Sequence, residues 1–235
     1  MKRFLKILGK SLLFLLGFLL LAGIVLKIVF SEDVPQGTTG PKADELAYNI
    51  LDAINNKEFT QVQEIHWTFA GKNRYRWKVQ QNLVDVYWDD YRVAYQTYFP
   101  NISFAFKGSQ RLEGEERDKA IAYAQKNFNN DSFWVVAPHK IFDAGTTRKL
   151  VVEDGKEQLL VTYNSGGTTP GDSYLWEVDE NFKPVAFKMW TSIIPLDGVR
   201  ATWSDWKMTS GGFPLAGSHS LYGIKIPVTE VSVVP

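Results

Sequence analysis

The chain opens with a run of apolar residues that has no polar period. From Leu12 to Leu26 every position is Leu, Phe, Ile, Val, Ala or Gly, and Ile28, Val29 and Phe30 carry the run past Lys27. At about 1.5 Å per residue the segment 12–30 reaches roughly 28 Å, close to the thickness of a bilayer's hydrocarbon. Residues 32–42 are polar, with two prolines and two glycines, and read as a linker. Leu46, Ala47, Ile50, Leu51 and Ile54 then recur at helical spacing and predict one amphipathic helix ending near Asn55 and Asn56. After it the period falls to two. Ile65, Trp67 and Phe69 alternate with Glu64, His66 and Thr68, and Tyr75, Trp77 and Val79 alternate with Arg74, Arg76 and Lys78. Such alternation marks strands with one wet face. Val84, Val86 and Trp88 continue the series, followed by Tyr91, Val93 and Tyr95.

Helical spacing returns over 114–129, where Ala120, Ile121, Ala124 and Phe128 share a face. Seven more strands are predicted over 148–153, 157–163, 173–179, 184–193, 199–207, 215–224 and 227–234. Turn signals separate them, among them Glu153-Asp154-Gly155 and Leu196-Asp197-Gly198. Strands joined by such short turns pair antiparallel. The expected fold is mainly β: a large curved antiparallel sheet of about ten strands, a half-barrel, with two or more helices covering its concave side. The chain divides into a membrane anchor or signal segment over 1–31, the linker over 32–42 and an extracytoplasmic domain over 43–235.

Charge supports that division. The first 31 residues hold Lys2, Arg3, Lys6, Lys10 and Lys27 and no acid, which leaves 21 basic against 26 acidic residues in the remainder. Cations before the apolar run and Glu32 and Asp33 after it place the amino terminus in the cytoplasm and the domain across the membrane, in the periplasm or outside. The alternative is cleavage after Ser31, with Val29 and Ser31 as the small residues of the cut site, and a secreted domain. An acidic domain gains nothing from counterion release, so nucleic acid is not an expected partner. With no cysteine, a disulfide framework, a thiol nucleophile and a lipidated Cys are excluded.

Particular stretches carry a family resemblance. The early helix, the strands Ile65-His66-Trp67-Thr68-Phe69 and Tyr75-Arg76-Trp77-Lys78-Val79, and the hairpin from Asp172 to Pro184 resemble the bacterial outer-membrane lipoprotein carrier and receptor superfamily (LolA/LolB-like). The resemblance runs over roughly residues 43 to 235. It implies an incomplete antiparallel barrel whose helices lid an apolar cavity for acyl chains. The chain departs from the lipidated receptor in having no Cys, and from the carrier in its uncleaved anchor.

All eight tryptophans lie beyond residue 66, several on the apolar parity of predicted strands. Aromatic residues suit the core of a large sheet. A curved sheet closed by two helices also has more inward surface than it can fill, which leaves room for a ligand. Strand parity selects Trp67, Phe69, Tyr75, Trp77, Val86 and Trp88 as the candidate ligand-binding residues.

Candidate chemistry is sparse. His66, His139 and His219 show no ligand spacing, so neither a metal nor a cofactor is expected. Asp89 and Asp90 point to opposite faces and mark a turn rather than an acid/base pair. The stretch Ser165 to Asp172 lacks the lysine of a phosphate loop and reads as a loop at the sheet rim. Ser218 and His219 lie outside any nucleophile elbow. The expected function is a membrane-tethered, non-enzymatic binding protein whose partners are a lipid or other amphiphile and the membrane itself. The alternatives are an envelope hydrolase built on His66 or His139, and a filled structural sheet that binds a protein partner.

Overall fold

The computed structural model describes residues 2–235. Helix α1 (Lys2–Phe30) contains the apolar segment, and the described side chains from Leu12 to Phe30 lie unburied by the rest of the chain. Helix α2 (Pro41–Ala53) begins with Pro41, whose fixed φ suits a first helical turn and whose missing N–H costs nothing there. It buries Ala43, Leu46, Ala47, Ile50 and Leu51, the stripe predicted from spacing. A single turn, α3 (Asn56–Phe59), follows.

The body is one antiparallel sheet of thirteen strands. Six strands come first: β1 (Glu64–Phe69), β2 (Asn73–Lys78), β3 (Leu83–Trp88), β4 (Tyr91–Gln96), β5 (Phe104–Lys107) and β6 (Gln110–Arg111). Helix α4 (Gly114–Val136) interrupts. Seven more follow: β7 (Thr146–Glu153), β8 (Lys156–Tyr163), β9 (Ser173–Val178), β10 (Pro184–Trp190), β11 (Val199–Met208), β12 (Pro214–Leu221) and β13 (Ile224–Val234). In space the order is β6-β5-β4-β3-β2-β1-β13-β12-β11-β10-β9-β8-β7. The sheet is not closed, and its outermost strands, β6 and β7, are the two that α4 connects. That helix therefore leaves one free edge, crosses the concave side and delivers the chain to the other.

Local chemistry sets the hairpins. Asp154 and Gly155 both have positive φ (51° and 73°), the backbone of a type I′ turn whose twist matches the strands it joins. Ala70-Gly71 and Tyr222-Gly223 do the same at β1–β2 and β12–β13. Asp89, at φ 45°, lies in the turn between β3 and β4, as the adjacent aspartates predict. Strands β5 and β6 were not expected. They are short, and β6 is an exposed pair of residues too brief to show a period. The second long helix runs seven residues beyond its predicted end at 129. Ser132, Trp134, Val135 and Val136 are all buried, so its last turns lose the one-sided pattern that identifies a helix.

Most buried side chains form one cluster on the concave side under α2 and α4. A second, smaller cluster of Val151, Leu160, Leu175 and Trp190 lies on the opposite face of β7 to β10. Residues 31–40, expected to be a linker, are docked here. The Trp190 indole N–H donates to the Glu32 carbonyl at 2.7 Å, and the Lys188 ammonium pairs with the Glu32 carboxylate at 2.6 Å. Six residues on, Thr38 exchanges two backbone hydrogen bonds with Leu150 on β7, at 2.9 and 2.8 Å. Gly37 has no side chain because a Cβ would lie 2.8 Å from the Leu150 carbonyl and 2.9 Å from Val151. The segment is thus a strap from β10 to the free edge of β7, where it pairs with an edge that would otherwise stand open.

Candidate functional site

The concave interior has a filled half and an open half. Of the six residues selected by parity, Trp67, Tyr75 and Val86 are essentially inaccessible, and Phe69 and Trp88 are buried. Trp67 stacks on Tyr75 with ring centroids 4.7 Å apart, and Phe128 of α4 lies about 6 Å from both. A buried polar group anchors the helix to this floor. The Asp131 carboxylate accepts from the Tyr75 hydroxyl at 2.5 Å and the Asn73 amide at 3.0 Å, while Asn130 donates to its other oxygen at 2.9 Å. Burial, and then the neighbouring carboxylate, push the Tyr75 hydroxyl far above its ordinary value, so it stays a donor. These side chains are packed core.

Trp77 is the exception. Half-buried and edge-on to Phe128 at 5.5 Å, it forms part of the wall of a cavity of about 790 Å³. This cavity lies between the second half of α4 and strands β8 to β10. Phe133 and Trp134 of α4 and Tyr163, Tyr174, Phe187 and Met189 of the sheet line it. Phe133 lies 4.4 Å from Tyr174, and Trp134 lies 5.4 Å from Phe187. The rim is made by residues 165–169, by Thr191, Ile193 and Ile194 after β10, and by Tyr98 after β4. The candidate site is thus displaced from the floor over β1 to β3, where parity placed it, to the wall of β8 to β10. The glycine-rich stretch expected at a sheet rim lies at the rim of the cavity.

The wall carries a polar cluster at Asp172. Asp172 is buried and accepts from the Thr169 hydroxyl at 2.5 Å and the Thr191 hydroxyl at 2.6 Å, with the Ser192 N–H and the Tyr174 hydroxyl at 3.4 Å. These bonds tie the loop after β8 to the loop after β10. Burial raises the Tyr174 hydroxyl, and the Asp172 carboxylate raises it further. Burial likewise raises the Tyr163 hydroxyl, which has no hydrogen-bond partner among the described residues. A buried donor without a partner costs about 1–3 kcal/mol, so this atom is a local cost to the fold. Lys140 and Asp143 form an ion pair at the same end.

The histidines lie apart. His139 is stacked on Phe59 at 4.0 Å with Nδ1 3.0 Å from the Asn56 side chain, and burial lowers it to about 3. His219 bonds the Thr202 carbonyl through Nδ1 at 3.2 Å and is lowered to about 4, chiefly by burial. Both imidazoles are neutral at pH 7. His66 is on the outer face, in a shallow depression of about 380 Å³ with Thr68, Arg74, Glu230 and Ser232. Its Nε2 is 2.9 Å from Glu64, whose carboxylate also takes a 2.8 Å bond from Arg76. The Arg76 guanidinium, then His66, hold Glu64 at about 2. Among the described residues, no three His, Asp or Glu side chains gather as a metal site.

No family model matches the chain, and no curated protein matches it in sequence. Among solved structures it is similar to a DUF1329 family protein from Desulfovibrio piger, at 10% identity and a TM-score of 0.42, covering 81% of this chain and 92% of that one. It is also similar to a domain assigned as an outer membrane lipoprotein-sorting protein from Vibrio parahaemolyticus, at 7% identity and a TM-score of 0.36, covering 80% and 93%.

Proposed function

We propose that the chain is a membrane-tethered binding protein of the cell envelope that holds an apolar or amphiphilic ligand, such as a lipid or acylated molecule, without covalent chemistry. The carrying observation is the cavity of about 790 Å³. It falls within the roughly 300–1,000 Å³ of small-molecule sites, and aromatic and aliphatic side chains with a few convergent polar groups form its wall. A wall of Phe133, Tyr174, Phe187 and Met189 gains by covering a hydrocarbon chain, about 25 cal/mol for each Å² removed from water. The polar groups about Asp172, with the Thr169 and Thr191 hydroxyls, suit the polar end of an amphiphile. The interior therefore supports ligand binding over a filled sheet whose role is to dock a protein. The apolar length of α1 and its basic flank support the tether.

Native mass spectrometry of the protein purified from its own cells, together with titration by a fluorescent long-chain fatty acid, tests this reading. A co-purifying amphiphile and saturable uptake are expected. A folded protein that carries none and shows no saturable uptake overturns it.

One observation favours a second reading. His66 has a carboxylate within hydrogen-bond reach, as a hydrolase built on that residue requires. Glu64 is shared with Arg76, however, and among the described residues no hydroxyl bonds His66. Ester hydrolysis lost in His66→Ala would establish it.

A further inference from the structure

The strap and the cavity meet in one loop, residues 191–198 between β10 and β11. On one side this loop is the rim: Thr191, Ile193 and Ile194 line the cavity. On the other it holds the exit of α1. The Glu32 N–H donates to the Asp197 carbonyl at 3.0 Å, and the Asp197 N–H donates to the Ser31 hydroxyl at 3.1 Å. Lys27, in the last turn of α1, is 3.6 Å from the Asp197 carboxylate. Gly198, at φ 76°, admits the Glu32 side chain so closely that a Cβ would lie 2.7 Å from it. From Ile193 to Asp197 the chain spans at most about 14 Å, so the rim stays within that distance of the helix exit. A free linker of residues 32–42 would have let the domain stand some 40 Å off the membrane. The docked strap removes that freedom.

The rim itself is apolar where it is exposed. Ile193 and Tyr98 both line the cavity and are 59% and 71% exposed, which places them at its opening, and Phe99 beside Tyr98 is 63% exposed. Aromatic and aliphatic side chains of this kind favour the membrane–water interface.

We infer that the domain is seated with its cavity mouth on the bilayer that holds α1, with Ile193, Tyr98 and Phe99 in the headgroup region, so that an amphiphile passes from that leaflet into the cavity without crossing water. This rests on the binding role proposed above for the same cavity. The occupant of the exposed rim is thus a lipid surface, chosen by the continuity of rim, strap and anchor.

The chain has no cysteine, so a single Cys placed at Ile193 or Tyr98 gives a unique label site in the full-length protein. Val152→Cys is the control. Val152 is 61% exposed and lies six residues along β7 from Thr146, roughly 20 Å from the mouth end of that strand. Each variant is labelled with an environment-sensitive fluorophore and reconstituted in phosphatidylcholine vesicles containing a lipid with a nitroxide near its headgroup. Cooperative melting of each variant is checked first. Several-fold stronger quenching at 193 and 98 than at 152 is expected, with a blue-shifted emission. Equal quenching at all three positions overturns the seating. Uptake of the fluorescent fatty acid is measured on the same samples. Quenching without uptake keeps the seating and rejects the ligand reading, whereas uptake without differential quenching keeps the ligand and rejects the seating.

Discussion

The Trp190 indole N–H reaches the Glu32 main-chain carbonyl at 2.7 Å, from the last residue of β10 to the second residue after α1. Trp190 is 7% exposed, and its ring belongs to the small outer cluster with Val151, Leu160 and Leu175. One side chain therefore both packs the outer face and fixes the strap. Trp190→Phe keeps most of the packing and deletes the bond. The expected loss is about 1 kcal/mol. A drop in thermal midpoint together with faster proteolysis within residues 32–40 checks it. An unchanged cleavage rate would show that the strap is held by other contacts.

Asp131 is the buried polar group on which α4 depends. Asp131→Ala strands the Tyr75 hydroxyl and the Asn73 amide in a dry interior and should cost about 3 kcal/mol or more, while Tyr75→Phe, which removes one donor and leaves the carboxylate its other partners, should cost about 1 kcal/mol. Denaturant midpoints of the two variants measure the difference. A cost for Tyr75→Phe equal to that of Asp131→Ala would contradict this ordering.

The filled and open halves of the interior predict opposite outcomes for two substitutions. Trp67→Ala removes a ring packed against Tyr75 and Phe128, and should destabilise by about 3–5 kcal/mol. Met189→Trp adds volume at the wall of the cavity, where space exists to receive it. It should leave cooperative melting intact and weaken fatty-acid uptake about tenfold or more, or roughly 1.4 kcal/mol. A calorimetric scan paired with a ligand titration reads both.

The two buried histidines make stability fall with acid. Each has an ordinary value of 6.5 when exposed in the unfolded chain, against about 3 for His139 and about 4 for His219 in the fold. Between those limits the unfolded state binds more protons. The stability they contribute is complete above about pH 6.5 and is lost on acidification, at up to about 1.4 kcal/mol per pH unit for each. The thermal midpoint should drop from about pH 7 to about pH 5, with a shallower slope in His219→Phe. A flat profile in the wild type would mean that both imidazoles gain protons without unfolding.

The sequence shows its frame most clearly where a period is sustained. The stripe of α2, the alternation of Ile65 with Trp67 and Phe69, and the glycine turn at Asp154-Gly155 all appear in the structure as read. Where the period failed, so did the boundary: the run Phe133-Trp134-Val135-Val136 has no polar side, because that part of α4 packs against the sheet and lines the cavity, with Trp134, Val135 and Val136 buried. The candidate site was legible only in part. Parity correctly puts Trp67 and Trp77 on one face, but it cannot say which aromatic residues a crossing helix will cover. That depends on α4 passing over β1 to β3 and leaving β8 to β10 open. Tyr174, Trp176, Phe187 and Met189 alternate as clearly as the earlier strands do, and the glycine-rich Ser165–Asp172 loop beside them was the local sign of a rim. The docking of residues 31–40 had no such sign, since a strap that binds through its backbone to Leu150 and Trp190 is indistinguishable by composition from a free linker.

The pairing of β1 with β13 has a consequence for how the domain is made. Ile65 lies opposite Val233, about 170 residues apart along the chain, and this is the seam at which the two groups of strands join. Until residues 224–234 arrive, β1 presents a bare ladder of amides and carbonyls, and the sheet cannot be completed. A chain carried across a membrane in extended form must therefore be wholly delivered before it can close, and it waits meanwhile with its aromatic floor uncovered and one sticky border. On the envelope location proposed above, the newly delivered chain needs shelter during that interval, and removing the last strand should yield aggregate rather than a smaller working domain.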